Sequence, residues 1–102
     1  MAEITRKSFD SPDEVRTPKE EMRIEVVEIG GLTIRRHTAK VGYSGEDCPI
    51  DHLLYVISGT LHTRMPDGAE TEVGPGEIAA IPPGHDAWNA GDEPVVWLEI
   101  PH

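Results

Sequence analysis

The chain has 102 residues, of which 37% are hydrophobic and only 5% aromatic, so we expect one domain with a small aliphatic core. Its 19 acidic residues against 9 Lys and Arg give a formal net charge of -10, which opposes binding to nucleic acid and to anionic membranes. The start, MAEITRKSFD, lacks the apolar segment of a signal peptide, and a single cysteine excludes an internal disulfide. We therefore expect one domain over residues 1–102, in the reducing cytoplasm.

The N-terminal third contains one helix signal followed by strand patterns. Residues 11–15, SPDEV, combine a Ser cap, Pro at the first helical position and Glu at the capping-box position, which predicts a short helical turn. Residues 22–30, MRIEVVEIG, alternate and are rich in Val and Ile, and a Gly-Gly turn leads into a second strand over 32–40. We interpret residues 1–22 as an N-terminal extension.

The remaining segments read as short strands separated by turns. Residues 42–51, GYSGEDCPID, are rich in Gly, Pro and Asp and predict a loop. The apolar run HLLYVIS predicts a buried strand over 52–58, and Asp67-Gly68 is a strong hairpin signal. About eight strands recur at intervals of roughly 8 to 12 residues with no long helix, which predicts an all-β sandwich or barrel. Further strands are predicted over 60–65, 71–73, 77–82 and 95–101.

One spacing in the second half resembles a known family. Five residues separate Gly76 from Pro82, and Gly84 and His85 then precede Asn89. This resembles the second motif of the cupins, Gly-x5-Pro-x-Gly-x2-His-x3-Asn, with two residues missing before the His. Side chains alternate along a strand with period two, so this deletion preserves the face of His85. The chain is most similar to small single-domain bacterial cupins, which implies an antiparallel jelly-roll barrel with its core over about 34–100.

The first cupin motif, Gly-x5-His-x-His-x3,4-Glu-x6-Gly, keeps its spacing here but not its residues. Counting back from Gly59 as the last glycine, His52 stands at the Glu position. Cys48 then stands at the second His position and Glu46 at the first. Every ligand type has therefore changed while the positions remain.

The resemblance implies a divalent transition metal in the mouth of the barrel. Glu46, Cys48, His52 and His85 would supply one carboxylate, one thiolate and two imidazoles as ligands. Thiolate with imidazole favours zinc, with copper, iron, manganese or nickel as alternatives, over magnesium or calcium. We therefore expect zinc at this site.

Each of these four residues also has a structural interpretation. Cys48 is alternatively a small buried hydrophobe or an inert loop thiol, Glu46 a solvated loop acid, and His85 a ring bonded to a turn carbonyl. His52 would otherwise be a polar cap of its strand. It shares the alternating face of Leu54, which argues that it points inward.

Four other side chains are weaker candidates. Trp88 lies in the second motif, and Tyr55 is a potential proton donor or acceptor, so both are candidates for substrate binding. His62 should point outward if its strand neighbours line the barrel. His37 lies in a strand with charge on both faces, so its direction stays open.

Two classes of function remain open for such a protein, because fold alone does not select a reaction. A metal with an open coordination position would make it an enzyme acting on a small molecule in the barrel mouth. The alternatives are non-catalytic binding of a small ligand or a structural metal, and a metal-free dimerisation module. Because the core is small, we also expect a homodimer.

Overall fold

The structure, a computed structural model, describes residues 2–102 and consists of antiparallel strands joined by turns and loops. The prediction of an all-β antiparallel jelly roll is confirmed. Within the described residues, no helix has the length and apolar character needed to cross a membrane. The strands are β1 (Glu14–Lys19), β2 (Met22–Ile29), β3 (Leu32–Ala39), β4 (Ser44–Cys48), β5 (His52–Ser58), β6 (Leu61–Arg64), β7 (Glu70–Val73), β8 (Ile78–Ile81), β9 (His85–Trp88) and β10 (Val95–Glu99).

The strands form two sheets that face each other across the core. The larger sheet has the order β1-β2-β3-β10-β5-β8, and the smaller sheet has the order β4-β9-β6-β7. Alternate residues of each strand point between the sheets, which is why Leu54, Val56, Leu61 and Val95 are almost completely buried. The core is therefore mostly aliphatic, as the composition predicts, with Trp97 among its buried residues and Tyr43 packed against it.

Gly59, the last glycine of the first motif, occupies a position where the structure requires glycine. Its backbone has a φ of +75°, a conformation that favours glycine. A Cβ at this position would lie 2.8 Å from Val95 Cα and closer still to the carbonyl oxygen of Pro94. Any other residue would therefore push the end of β5 away from the start of β10.

The predicted helical turn over 11–15 is wrong, because this segment docks onto β2. The backbone N–H of Asp13 donates to the carbonyl oxygen of Val26 at 2.8 Å, and the Asp13 carboxylate accepts from the backbone N–H of Glu28 at 2.8 Å. Both bonds hold the chain extended as it enters β1, which pairs with β2. The helix signal is local, and pairing with a distant strand overrides it.

The loop predicted over 42–51 is also wrong in part, because residues 44–48 form β4. This strand pairs with β9, and Cys48 lies opposite His85 in the register. A bulge interrupts the pairing at Asp47, whose φ is +47° and whose N–H donates to the Asp86 carboxylate at 2.8 Å. The Gly, Pro and Asp content that predicted a loop here therefore belongs in part to a bulged strand.

Candidate functional site

A cavity of about 330 Å³ lies between the two sheets at one end of the barrel. Its walls are largely apolar and come from both sheets, including Met22, Ile24, Leu54, Leu61 and Trp97. Its polar groups are concentrated among the strand ends. An apolar pocket with a few convergent polar groups is the usual form of a small-molecule site.

Four of the strand ends at this cavity contribute polar side chains to one group. Cys48 is the last residue of β4 and His85 the first of β9, both in the smaller sheet. His52 is the first residue of β5 and Glu99 the last of β10, both in the larger sheet. The ligand atoms of Cys48, His52 and His85 all lie within 4.8 Å of one another.

The turn before His85 fixes the direction of its ring. Gly84 has a φ of +90°, and its N–H donates to the carbonyl oxygen of Cys48 at 2.7 Å, which ties the turn to β4. His85 Nδ1 lies 2.7 Å from the carbonyl oxygen of Pro82, and the residue is only 3% exposed. The carbonyl oxygen accepts from Nδ1–H, so the tautomer of the neutral ring that fits this contact carries its lone pair on Nε2. His85 is thus both bonded to a turn carbonyl and placed on the cavity wall.

His52 is held in the same way from the opposite sheet. Its Nδ1 lies 2.9 Å from Glu99 Oε1, and its Nε2 lies 3.5 Å from Cys48 Sγ. The rings of His52 and His85 meet edge to face, with centroids 5.0 Å apart. The hydrogen bond to Glu99 raises the pKa of His52 to about 9, and this outweighs the lowering by burial.

Glu99 is a site residue that the sequence interpretation missed. Burial alone would raise the pKa of Glu99, but hydrogen bonds from His52 and from the Trp97 indole outweigh it, so the pKa is lowered. The signal was present in the sequence, because Val95, Trp97 and Glu99 alternate along β10 and the first two are core residues. An acid that continues the inward face of a strand is expected to have a buried partner.

His37, whose direction the sequence left open, also lines the cavity. Its ring stacks on Trp97, with centroids 5.0 Å apart and 18° between the planes. The residue is 9% exposed, and burial lowers the pKa of His37 to about 4 even though nearby Glu99 acts in the opposite direction. The ring is therefore neutral at pH 7.

The donor set fits a transition metal. Both histidines have Nδ1 held by an oxygen acceptor, which leaves Nε2 for a metal, and a carboxylate behind a ligating imidazole is a common supporting contact. Ligand atoms around a tetrahedral zinc lie roughly 3.5 Å apart, given bond lengths of about 2.0–2.3 Å. The 3.5 Å between Cys48 Sγ and His52 Nε2 has this value. Glu46 lines the mouth but is exposed and lies outside the three-residue cluster.

The two candidates for substrate binding lie away from the cavity wall. Trp88 stacks on His62 with centroids 5.7 Å apart, and the Arg64 guanidinium lies 5.3 Å from its ring centroid. His62 therefore points outward, as expected. Tyr55 is 37% exposed and lies on the face of β5 opposite the buried Leu54. A role for Trp88 or Tyr55 in substrate binding stays a prediction, and it would concern the outer surface.

The comparisons with known proteins agree with this architecture. The sequence model of the Cupin_2 family, described as a cupin domain, matches residues 49–101. No curated protein matches the sequence.

Solved structures resemble the fold over most of the chain. The polyketide cyclase RemF from Streptomyces resistomycificus is 20% identical with a TM-score of 0.76, and the match covers 95% of this chain and 78% of that chain. An uncharacterised protein with a double-stranded β-helix domain from Klebsiella pneumoniae is 27% identical with a TM-score of 0.66, over 95% and 88% of the two chains. Oxalate decarboxylase from Lactobacillus farciminis is 18% identical with a TM-score of 0.63, over 84% and 30%.

Proposed function

The chain belongs to the Cupin_2 family of cupin domains, and we propose that it is a metal-dependent enzyme acting on a small molecule. Cys48, His52 and His85 would hold the metal, and the cavity beside them would hold the substrate. One observation carries the proposal. Each imidazole has its Nδ1 occupied by a fixed acceptor, so that the remaining nitrogens and the Cys48 sulfur form a compact donor set.

The donor types favour zinc. A thiolate and two imidazoles suit zinc or copper better than magnesium or calcium, and iron, manganese and nickel are weaker alternatives. The metal would bind the deprotonated forms of Cys48 and His52, so binding releases protons. His52 has a pKa raised to about 9 in the metal-free protein, which means that a proton competes for its Nε2 at neutral pH.

A donor set of three residues would leave a coordination position open on a bound metal, which favours catalysis over a purely structural role. Three residues form the cluster, whereas structural zinc sites are closed by four protein ligands. A metal with an open position would polarise a carbonyl or hydroxyl oxygen of the substrate. Glu99 would hold the His52 ring in place, and the apolar walls would exclude water from the bound substrate. The same fold occurs in enzymes that act on small molecules, since similar structures include a polyketide cyclase and an oxalate decarboxylase.

Element analysis of untagged protein tests the metal site. We expect close to one zinc per chain after growth in supplemented medium, and loss of that zinc in Cys48→Ser. Cobalt substitution would add a sulfur-to-metal absorption band that Cys48→Ser removes. Wild-type protein that carries less than a tenth of a metal ion per chain after supplementation would sink the proposal, and the ligand-binding or dimerisation alternatives would replace it.

We further propose that the protein is a cytoplasmic homodimer. The outer face of the larger sheet exposes apolar side chains, with Ile57 44% exposed and Ile78 64% exposed on neighbouring strands. Such a patch supports pairing with a second copy. A reducing compartment would keep the Cys48 thiol available. Light scattering should return twice the 11.2 kDa chain mass at micromolar concentration, and a single-chain mass would contradict the dimer.

A further inference from the structure

His37 is a buried polar side chain whose ring nitrogens have no hydrogen-bond partner. Within residues 2–102, Nδ1 and Nε2 of His37 are the buried side-chain polar atoms left without one. An unpaired buried polar group destabilises the folded protein, so such a group calls for a partner that is not part of the chain.

The surroundings of His37 explain why the protein does not supply that partner. Its Nε2 lies 3.8 Å from Glu99 Oε1, which is too long for a hydrogen bond. That oxygen already accepts from His52 Nδ1 at 2.9 Å and from Trp97 Nε1 at 3.0 Å. Stacking on Trp97 holds the His37 ring in place on the cavity wall. A molecule in the cavity could therefore satisfy it without any rearrangement of the site.

We propose that His37 recognises the ligand of this cavity by a hydrogen bond to a hydroxyl or carbonyl group on a small neutral molecule with an apolar body. The inference rests on that part of the proposed function in which the cavity holds a small molecule. The neutral imidazole offers one donor and one acceptor nitrogen, which suits either group. The apolar body would pack against the aliphatic wall that includes Met22, Ile24 and Leu61.

The charges near His37 argue for a neutral ligand. The Glu99 carboxylate lies beside the ring, and its one neutralising contact from the chain is with His52. An anionic ligand near His37 would meet this carboxylate, and the net charge of -10 would oppose its approach. Lys19 also lines the cavity, but its ammonium group donates to a backbone carbonyl oxygen. The charge of a bound divalent ion would be offset by the Glu99 carboxylate and the Cys48 thiolate. A cationic ligand would have to lose its hydration shell in a largely apolar cavity.

Phenol and toluene are matched probes, because they share a ring and differ in one hydroxyl group. Each would be titrated into wild-type protein, with the indole N–H resonance of Trp97 as the NMR reporter. His37→Phe and His37→Leu remove the hydrogen bond, and we expect the ratio of phenol affinity to toluene affinity to fall about three- to tenfold in both. His37→Gln, which keeps a donor and an acceptor, should retain part of the ratio.

The outer histidine provides the matched control, since His62→Phe should leave the ratio unchanged. An unchanged ratio in both apolar His37 variants would overturn the proposal, as would wild-type protein that binds neither probe. In the first case an ordered water, and not a ligand, would be the partner of His37. Metal content measured on the same samples separates this result from the proposed metal site, because His37 lies outside the three-residue cluster.

Discussion

The two faces of the larger sheet each hold one shielded carboxylate, and the partners of these carboxylates differ in kind. On the outer face, Glu25 is 6% exposed and accepts a hydrogen bond from Arg36 Nε at 2.7 Å. On the inner face, Glu99 accepts from His52 Nδ1 at 2.9 Å. A guanidinium is permanently charged and has no lone pair, whereas an imidazole titrates and has a second nitrogen. The outer pair can only stabilise the fold, while the inner pair can pass its effect on to a bound metal.

The neighbours of each pair reinforce this difference. The Arg36 guanidinium also lies 5.2 Å from the ring centroid of Phe9 and 3.7 Å from the Asp10 carboxylate, so the N-terminal segment covers the outer pair. The inner pair instead faces the cavity and the Cys48 sulfur. A buried carboxylate is therefore a sign of function when its partner still has an unused ligand atom.

The largest expected effect is the loss of metal when an inner imidazole is removed. His85→Ala should weaken metal binding by more than about a hundredfold, since even supporting contacts around a metal contribute 10–100-fold. Equilibrium dialysis against zinc measures the affinity, and circular dichroism confirms that the variant is folded. His62→Ala is the matched outer control and should keep wild-type affinity. Full metal retention by His85→Ala would contradict the assignment of the inner face.

The next effect tests whether the inner carboxylate acts through its histidine. Glu99→Gln keeps the shape of the side chain and removes its charge, so we expect metal affinity to fall about 10- to 100-fold. The same dialysis checks it when run above the raised pKa of His52, about 9, where a proton no longer competes with the metal for Nε2. Glu72→Gln is the outer control, because Glu72 lies 3.4 Å from His62 Nδ1 in an exposed pair. Equal zinc affinity in Glu99→Gln and wild type would show that the inner pair is as purely structural as the outer one.

The outer pair should affect stability and not metal. Glu25→Gln should lower the free energy of unfolding by about 1–2 kcal/mol at pH 7, measured by urea denaturation, with zinc affinity unchanged. The hydrogen bond from Arg36 holds the pKa of Glu25 below its usual 4.5, so this stabilisation is present above pH 4.5 and is lost as the pH falls through the lowered pKa. The two proteins should therefore converge in stability in acid.

A substitution at an exposed acid is the control for Glu25→Gln, because it also removes one negative charge but breaks no buried ion pair. Glu20→Gln, in the turn between β1 and β2, should change the free energy of unfolding by less than about 0.5 kcal/mol. A stability difference between Glu25→Gln and wild type that persists unchanged at low pH would assign the loss to packing and not to the ion pair.

The smallest effect belongs to the outer histidine. His62→Ala removes a stack on Trp88, which should cost about 0.5–1 kcal/mol of stability at a half-buried surface. Thermal unfolding measures the change. A loss above 2 kcal/mol would mean that the outer face of the smaller sheet holds the fold together more strongly than the aliphatic core suggests.

The sequence predicts well the features that depend on local spacing. The alternation around Leu54 predicts correctly that His52 faces the interior, and the stiff turn before His85 predicts a ring aimed inward. Deletion of two residues before His85 does not disturb this, because the strand period is two. Cys48 reaches the same cluster through its position opposite His85 in the register.

The features that the sequence did not predict depend on residues far apart in the chain. β4 has the composition of a loop, and its bulge is closed by Asp86, which lies 39 positions after Asp47. β1 begins with a helix signal that is overridden by pairing with β2. The alternation along β10 places Glu99 on the inward face, but its partner His52 is identified only when β10 is placed beside β5. These pairings join residues that are distant in the sequence, so local patterns do not predict them.

The donors of the cluster come from both sheets, with Cys48 and His85 on one and His52 on the other. The distances among these donor atoms therefore depend on the spacing between the two sheets. Core substitutions that loosen this spacing, such as Leu61→Ala beneath the cavity, should misalign the donors before they unfold the chain. A bound ion would cross-link the two sheets and stabilise the folded state, so that protease resistance would rise with metal occupancy.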